Sequence, residues 1–155
     1  MKLNNNIRNN LKYHFIMKNL CILFILTLNL ATYGQSVIGH WETYDDKTNE
    51  KKAVIEIYES ENRYYGKIVE NISGEANAIC ENCNGKNKDQ PIIGLVVIED
   101  IKKDGDEFNG GTILDPNNGK TYKCYLELIN NNKLKVRGYL GFSVFGRTQY
   151  WIRKE

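Results

Sequence analysis

From about residue 38 onward, apolar and polar residues along this chain alternate in steps of two. Tyr122, Cys124, Leu126 and Leu128 alternate with Thr121, Lys123, Tyr125 and Glu127, and Leu134, Val136, Gly138 and Leu140 alternate with Lys133, Lys135, Arg137 and Tyr139. A period of two sends the two sets to opposite faces of a strand. Similar short runs, rich in valine, isoleucine, tyrosine and threonine, predict eight strands: 38–44, 53–59, 63–71, 92–102, 107–114, 121–129, 133–141 and 147–153. Between them lie Asp45-Asp46-Lys47-Thr48-Asn49, Asp104-Gly105-Asp106, Pro116-Asn117-Asn118-Gly119 and Asn130-Asn131-Asn132. Such residues tolerate positive φ or bond their own backbone, so consecutive antiparallel hairpins follow.

The fold expected is all-β, a single antiparallel up-and-down barrel of about eight strands; a two-sheet sandwich built from the same hairpins is the alternative. Closure removes the exposed edges, and an eight-stranded barrel has room for its own side chains or for one small ligand. The long irregular stretch is 72–91, which carries Cys80-Glu81-Asn82-Cys83. A loop of that length in a compact domain is functional or pinned.

The N-terminus reads differently. Lys18 and Asn19 lead into the apolar run Leu20 to Leu28, and Thr32-Tyr33-Gly34 offers small residues where a signal peptidase reads. Residues 1–34 are therefore expected to be a secretory signal, with Met17 as an alternative start and an uncleaved anchor as the competing reading. Thr27 and Asn29 interrupt the run too early for a comfortable membrane span. Cleavage after Gly34 leaves 121 of the 155 residues, enough for one domain over 35–155. It also removes four of the 21 basic side chains, Lys2, Arg8, Lys12 and Lys18, and none of the 19 acidic ones, so 17 against 19 gives a formal charge of −2. With no cationic excess left, nothing suggests an electrostatic footprint for nucleic acid or an anionic membrane surface, and no membrane span is expected in the mature protein.

Export makes a disulfide the first expectation for Cys80, Cys83 and Cys124; the close pair Cys80–Cys83 is favoured, which leaves Cys124 as a buried thiol. The Cys-x-x-Cys lies among strands and not at a helix N-terminus, so thioredoxin-like chemistry is not expected, and a zinc site would need Cys80, Cys83, Cys124 and His40 to converge. His40 has no nucleophile motif near it, and Asp115 followed by Pro116, Asn117, Asn118 and Gly119 reads as turn chemistry, since the alternating acids of a calcium loop are missing. No metal and no cofactor is expected. Arg137 and Arg147 each lie among glycines and aromatics, where an arginine can hold a carboxylate or phosphate, stack on a tryptophan, or remain solvated.

Gly39-His40-Trp41, with an arginine on the last strand in Arg147-Thr148-Gln149-Tyr150-Trp151-Ile152-Arg153, resembles the signature of lipocalin-like barrels. The resemblance implies that the tryptophan closes the barrel floor and that a last-strand arginine packs across it. Pro91-Ile92-Ile93-Gly94-Leu95, Gly110-Gly111-Thr112-Ile113-Leu114-Asp115-Pro116, Gly119-Lys120-Thr121-Tyr122-Lys123-Cys124, and Lys135 to Phe142 followed by Phe145 to Trp151 are more specific. Together they resemble the bacterial exported family called domain of unknown function 2147, over essentially the whole of 35–155. That resemblance implies a lipocalin-like (calycin-like) barrel in the envelope or outside the cell.

The functional expectation is a non-enzymatic binding protein for a small, partly apolar or amphipathic molecule, which an arginine would allow to be anionic. Trp41, Tyr122, Arg137, Tyr139, Arg147 and Trp151 are the candidate ligand-binding residues. The alternative is a protein-interaction module or inhibitor with a filled barrel, meeting a protein partner through the 72–91 loop. An enzyme lacks a convergent acid, base and nucleophile in this sequence.

Overall fold

The computed structural model describes residues 36–155, together with His14, Phe15, Met17 and Lys18, which are helical. The rest of the targeting segment expected over 1–34 lies outside the described residues. Among the described residues no helix is long and apolar enough to cross a membrane.

Eight antiparallel strands follow one another around a closed barrel: β1 Gly39–Tyr44, β2 Lys51–Ser60, β3 Arg63–Asn71, β4 Val96–Asp104, β5 Glu107–Asp115, β6 Lys120–Asn130, β7 Lys133–Tyr139 and β8 Gly146–Arg153. Every strand pairs with its sequence neighbours, and β8 returns to β1. The two ends of the barrel differ because the connections differ. At one end β2–β3, β4–β5 and β6–β7 turn tightly; Glu61 and Asn62, both at positive φ, make the first of these turns in the conformation that matches strand twist. At the other end the connections are longer: 45–50, 72–95, 116–119 and 140–145.

The tight end is filled. Trp41, Ile57, Ile101, Phe108, Leu126 and Leu134 are buried there, and Tyr64 meets Phe108 edge to face at 4.9 Å. Trp41 is fully buried and its indole N–H donates to the Val37 carbonyl at 2.8 Å. The Arg153 guanidinium lies 4.2 Å from the centre of the Trp41 ring, a cation–π contact, and donates to the carbonyls of Ser36, Ile38 and Asn131. Gly39, at φ +135, makes room for it, since a Cβ would stand 2.6 Å from Arg153 Nη1. Arg153 is thus the last-strand arginine of the signature; neither Arg137 nor Arg147 stacks on a tryptophan.

Two strand limits differ from the sequence reading. β4 begins at Val96 and not at 92: Gly94 takes φ +97, the Leu95 N–H turns back to the Ile92 carbonyl, and Pro91 bridges to Ile79, so 92–95 belongs to the long loop. β7 stops at Tyr139 and not at 141, because Gly141 takes φ +67 and the chain turns through 140–145. All eight strands and the core cluster of the described residues lie within 36–155.

Candidate functional site

Above the filled floor the barrel is hollow. A cavity of about 670 Å³ opens among the long loops. Its walls include Ile55, Ile68, Val97, Ile113, Leu114, Val136 and Trp151, and its rim is polar, with Asn71, Asn82, Asp115, Asn118, Tyr122 and Arg147. An apolar well with a few polar groups at the mouth is the usual composition of a small-molecule site.

β8 supplies the polar side of the rim. Alternation along the strand turns Arg147, Gln149, Trp151 and Arg153 to one face. Arg153 sits on the floor, Trp151 lies in the wall, and Arg147 stands at the mouth. There its Nε–H donates to Asp46 Oδ2 from the β1–β2 connection, while Gln149 Nε2 donates to Asp46 Oδ1 at 3.1 Å. Gln149 Oε1 in turn accepts from the Trp151 indole at 3.3 Å. A polar chain therefore runs from wall to rim, with both Asp46 oxygens engaged. The Arg147 hydrogen bond, with help from Gln149, holds the Asp46 carboxyl below its usual range against a smaller effect of burial.

The opposite side of the mouth is covered by the long loop. Cys80 and Cys83 are joined by a disulfide and are buried in the core cluster, and Ala78, Ile79, Asn82 and Ile92 from the same loop line the cavity. The loop is clamped to the β5–β6 turn, where Asn82 Nδ2 donates to the Asn117 carbonyl at 2.7 Å. Gly119, at φ +68, permits this close approach, because a Cβ there would run into the Asn82 carbonyl. Asp115 organises that turn, accepting from the Asn117 backbone at 3.0 Å and the Asn118 side chain at 2.9 Å. Asn118 also donates to the Tyr122 hydroxyl at 3.2 Å.

Of the candidate residues, Tyr122, Tyr139, Arg147 and Trp151 come together around this cavity. Trp41 and Arg137 do not line it. Trp41 is in the floor, and Arg137 is on the outer face, where it donates to the carbonyls of Ser143 (2.8 Å) and Val144 (3.2 Å) and to Thr148 Oγ1 (2.6 Å). Arg137 therefore shapes the 140–145 loop. His40 is exposed on β1. Cys124 is a buried free thiol whose pKa is pushed up to about 12 by burial, which removes it from nucleophilic chemistry at neutral pH. The sequence reading missed Asp46 and Gln149. Gln149 was reachable, since it shares the face of Arg147 and Trp151; Asp46 was not, being one acid in a turn 101 residues from its partner. A second, shallow depression of about 750 Å³ lies on the outer wall between Tyr58, Tyr65 and the 90–96 segment, and the Lys86–Glu99 ion pair at 2.8 Å lies within its lining.

A family model described as an uncharacterized protein conserved in bacteria (DUF2147) matches residues 39–153, and the chain belongs to that family. Among solved structures it is similar to protein HP1028 from the human pathogen Helicobacter pylori, which is described as belonging to the lipocalin family. The two share 20% identity over 77% of this chain and 84% of that one, with a TM-score of 0.69, so the likeness is one of fold. No curated protein matches the chain.

Proposed function

We propose that this member of the bacterial DUF2147 family is an exported, non-enzymatic carrier that takes a small, partly apolar molecule into the open end of its barrel. The observation that carries the reading is the 670 Å³ well, whose walls are largely apolar, with Thr43 and Gln149 as polar groups among them, and whose rim is polar. A filled barrel would have favoured the interaction-module reading; here only the floor is filled. The apolar part of the ligand packs against Ile55, Ile113, Val136 and Trp151, and its polar end meets Tyr122 and Arg147. A carboxylate on the ligand would replace Asp46 on Arg147, and an uncharged polar end would share the Asn118 and Tyr122 groups. The Cys80–Cys83 disulfide supports an oxidising compartment and therefore cleavage of the 1–34 segment on export.

Native mass spectrometry of the protein purified from an exporting host tests this. The expected species begins at Gln35, contains one disulfide and carries a co-purifying small molecule. Tryptophan fluorescence on adding decanoate or decanol is the second arm, with Arg147→Ala weakening decanoate about tenfold and decanol little. A bare protein whose fluorescence responds to neither probe overturns the carrier reading.

A further inference from the structure

The 140–145 loop has its apolar side chains outward. Leu140, Phe142, Val144 and Phe145 are 60%, 79%, 78% and 74% exposed, a cluster of large apolar groups in six residues at the edge of the mouth. Single exposed apolar residues are ordinary, whereas a contiguous patch marks a surface that is covered in use. Nor is this loop slack. Arg137 holds it from behind through Ser143 and Val144, and the Phe145 N–H donates to the Phe142 carbonyl at 3.0 Å, so the tip is presented in a fixed shape.

One layer below the tip the outer wall changes character. Tyr139 and Tyr125 lie 6.5 Å apart, Lys123 stands opposite Tyr139 in the ladder, and Arg137 stands opposite Tyr125. Among the described residues neither Lys123 nor Arg137 forms an ion pair with a carboxylate. The nearest acids on the rim are already engaged, Asp46 by Arg147 and Asp115 by its own turn. From Lys133 to Lys154 the sequence has six cations and no acid. On the same outer face Glu127 is taken up by Lys135 at 2.7 Å, so the overall charge of −2 over 35–155 conceals a patch whose cations Lys123 and Arg137 are left without an acidic partner among the described residues. Apolar tip first, then tyrosines and cations, is the order in which side chains meet a membrane interface.

We propose that the barrel docks, mouth first, on a bilayer with anionic headgroups, with Phe142 and Val144 entering the acyl boundary and Lys123 and Arg137 meeting the headgroups. Leu140 and Phe145 belong both to the tip and to the lining of the cavity, so docking turns the mouth toward the acyl chains. The inference goes beyond the carrier reading and is measured without a cavity ligand.

The test uses residues 35–155, which contain the complete barrel and exclude the apolar N-terminal run. The chain is co-sedimented with vesicles of phosphatidylethanolamine and phosphatidylglycerol, about three to one, and with vesicles of phosphatidylcholine alone. Wild type is expected to pellet with the anionic vesicles and much less with the neutral ones. Phe142→Ser with Val144→Ser weakens partitioning at least about tenfold, and Lys123→Glu about fivefold, with unchanged melting temperatures because all three positions carry no core packing. Wild type that stays in the supernatant, or a double variant that pellets equally well, overturns the proposal. So does a dimer that the double variant abolishes without any vesicle binding, which would give the tip to a second copy.

Discussion

The two loops that border the barrel mouth have opposite compositions and opposite placements. The 72–95 loop is rich in asparagine, glycine and lysine, yet it carries two of the most deeply buried side chains in the protein, Cys80 and Cys83. The 140–145 loop is mostly apolar, yet almost all of it faces solvent. In the first, a disulfide and a chain of backbone hydrogen bonds allow a polar segment to fold inward with its polar groups satisfied. In the second, Arg137 satisfies carbonyls from outside and leaves the apolar side chains free. Composition therefore does not say which loop goes in; the partners of the backbone do.

The sharpest way to break this contrast is to substitute one glycine on each side. Gly119→Ala combines a left-handed φ with a collision against the Asn82 carbonyl, and is expected to cost about 3 kcal/mol. Gly141→Ala, at nearly the same φ but with open space around its Cβ, should cost about 1 kcal/mol. Urea denaturation of both variants measures the difference, and equal losses would mean that the clamp on the long loop is not tight. Next in size is Cys80→Ser with Cys83→Ser. Opening so short a covalent ring removes about 2 kcal/mol, roughly 8 °C in melting temperature. Tryptic cleavage at Lys86 and Lys88 should accelerate while chymotryptic cleavage at Phe142 does not change, because only the first loop depends on the disulfide.

The smallest effect belongs to the rim. Asp46 has a lowered pKa in the folded protein, so its contribution is fully present above the unfolded value of about 4 and is lost as pH falls through the lower folded value. Asp46→Asn should lower the melting temperature slightly at neutral pH and converge with wild type at about pH 2, so that the acid limb of a plot of melting temperature against pH is flatter; the effect is small because both partners are substantially solvated. A steeper acid limb in the variant would contradict the assignment of Arg147 as the dominant partner.

Much of the barrel was legible. β6 and β7 alternate cleanly because each has one wet face and one dry one, and their inward sets are the ones the sequence separates. β4 was read four residues too long at its start because Ile92, Ile93 and Leu95 have strand composition but serve the loop. Its interior also breaks alternation, with Val97, Ile98 and Ile101 buried around Asp100 at φ +66, a bulge that no local pattern announces. At the site, Tyr122, Tyr139, Arg147 and Trp151 were accessible from strand identity and neighbouring glycines. Asp46 and the cavity-lining residues of the long loop, Ala78, Ile79, Asn82 and Ile92, were not, because their role depends on a tertiary approach between segments far apart in the chain.

The seam that closes the barrel has a consequence for the order in which the molecule is made. Seven of the eight strand pairings join sequence neighbours and can form as the chain lengthens. The eighth joins Trp41 and Glu42 to Arg153 and Ile152, and Arg153 alone fastens segments as much as 117 residues apart. Without that pairing the strands form an open sheet with two unpaired edges. With Arg153 over Trp41 the sheet is a ring, and that closure needs both ends of the domain at once.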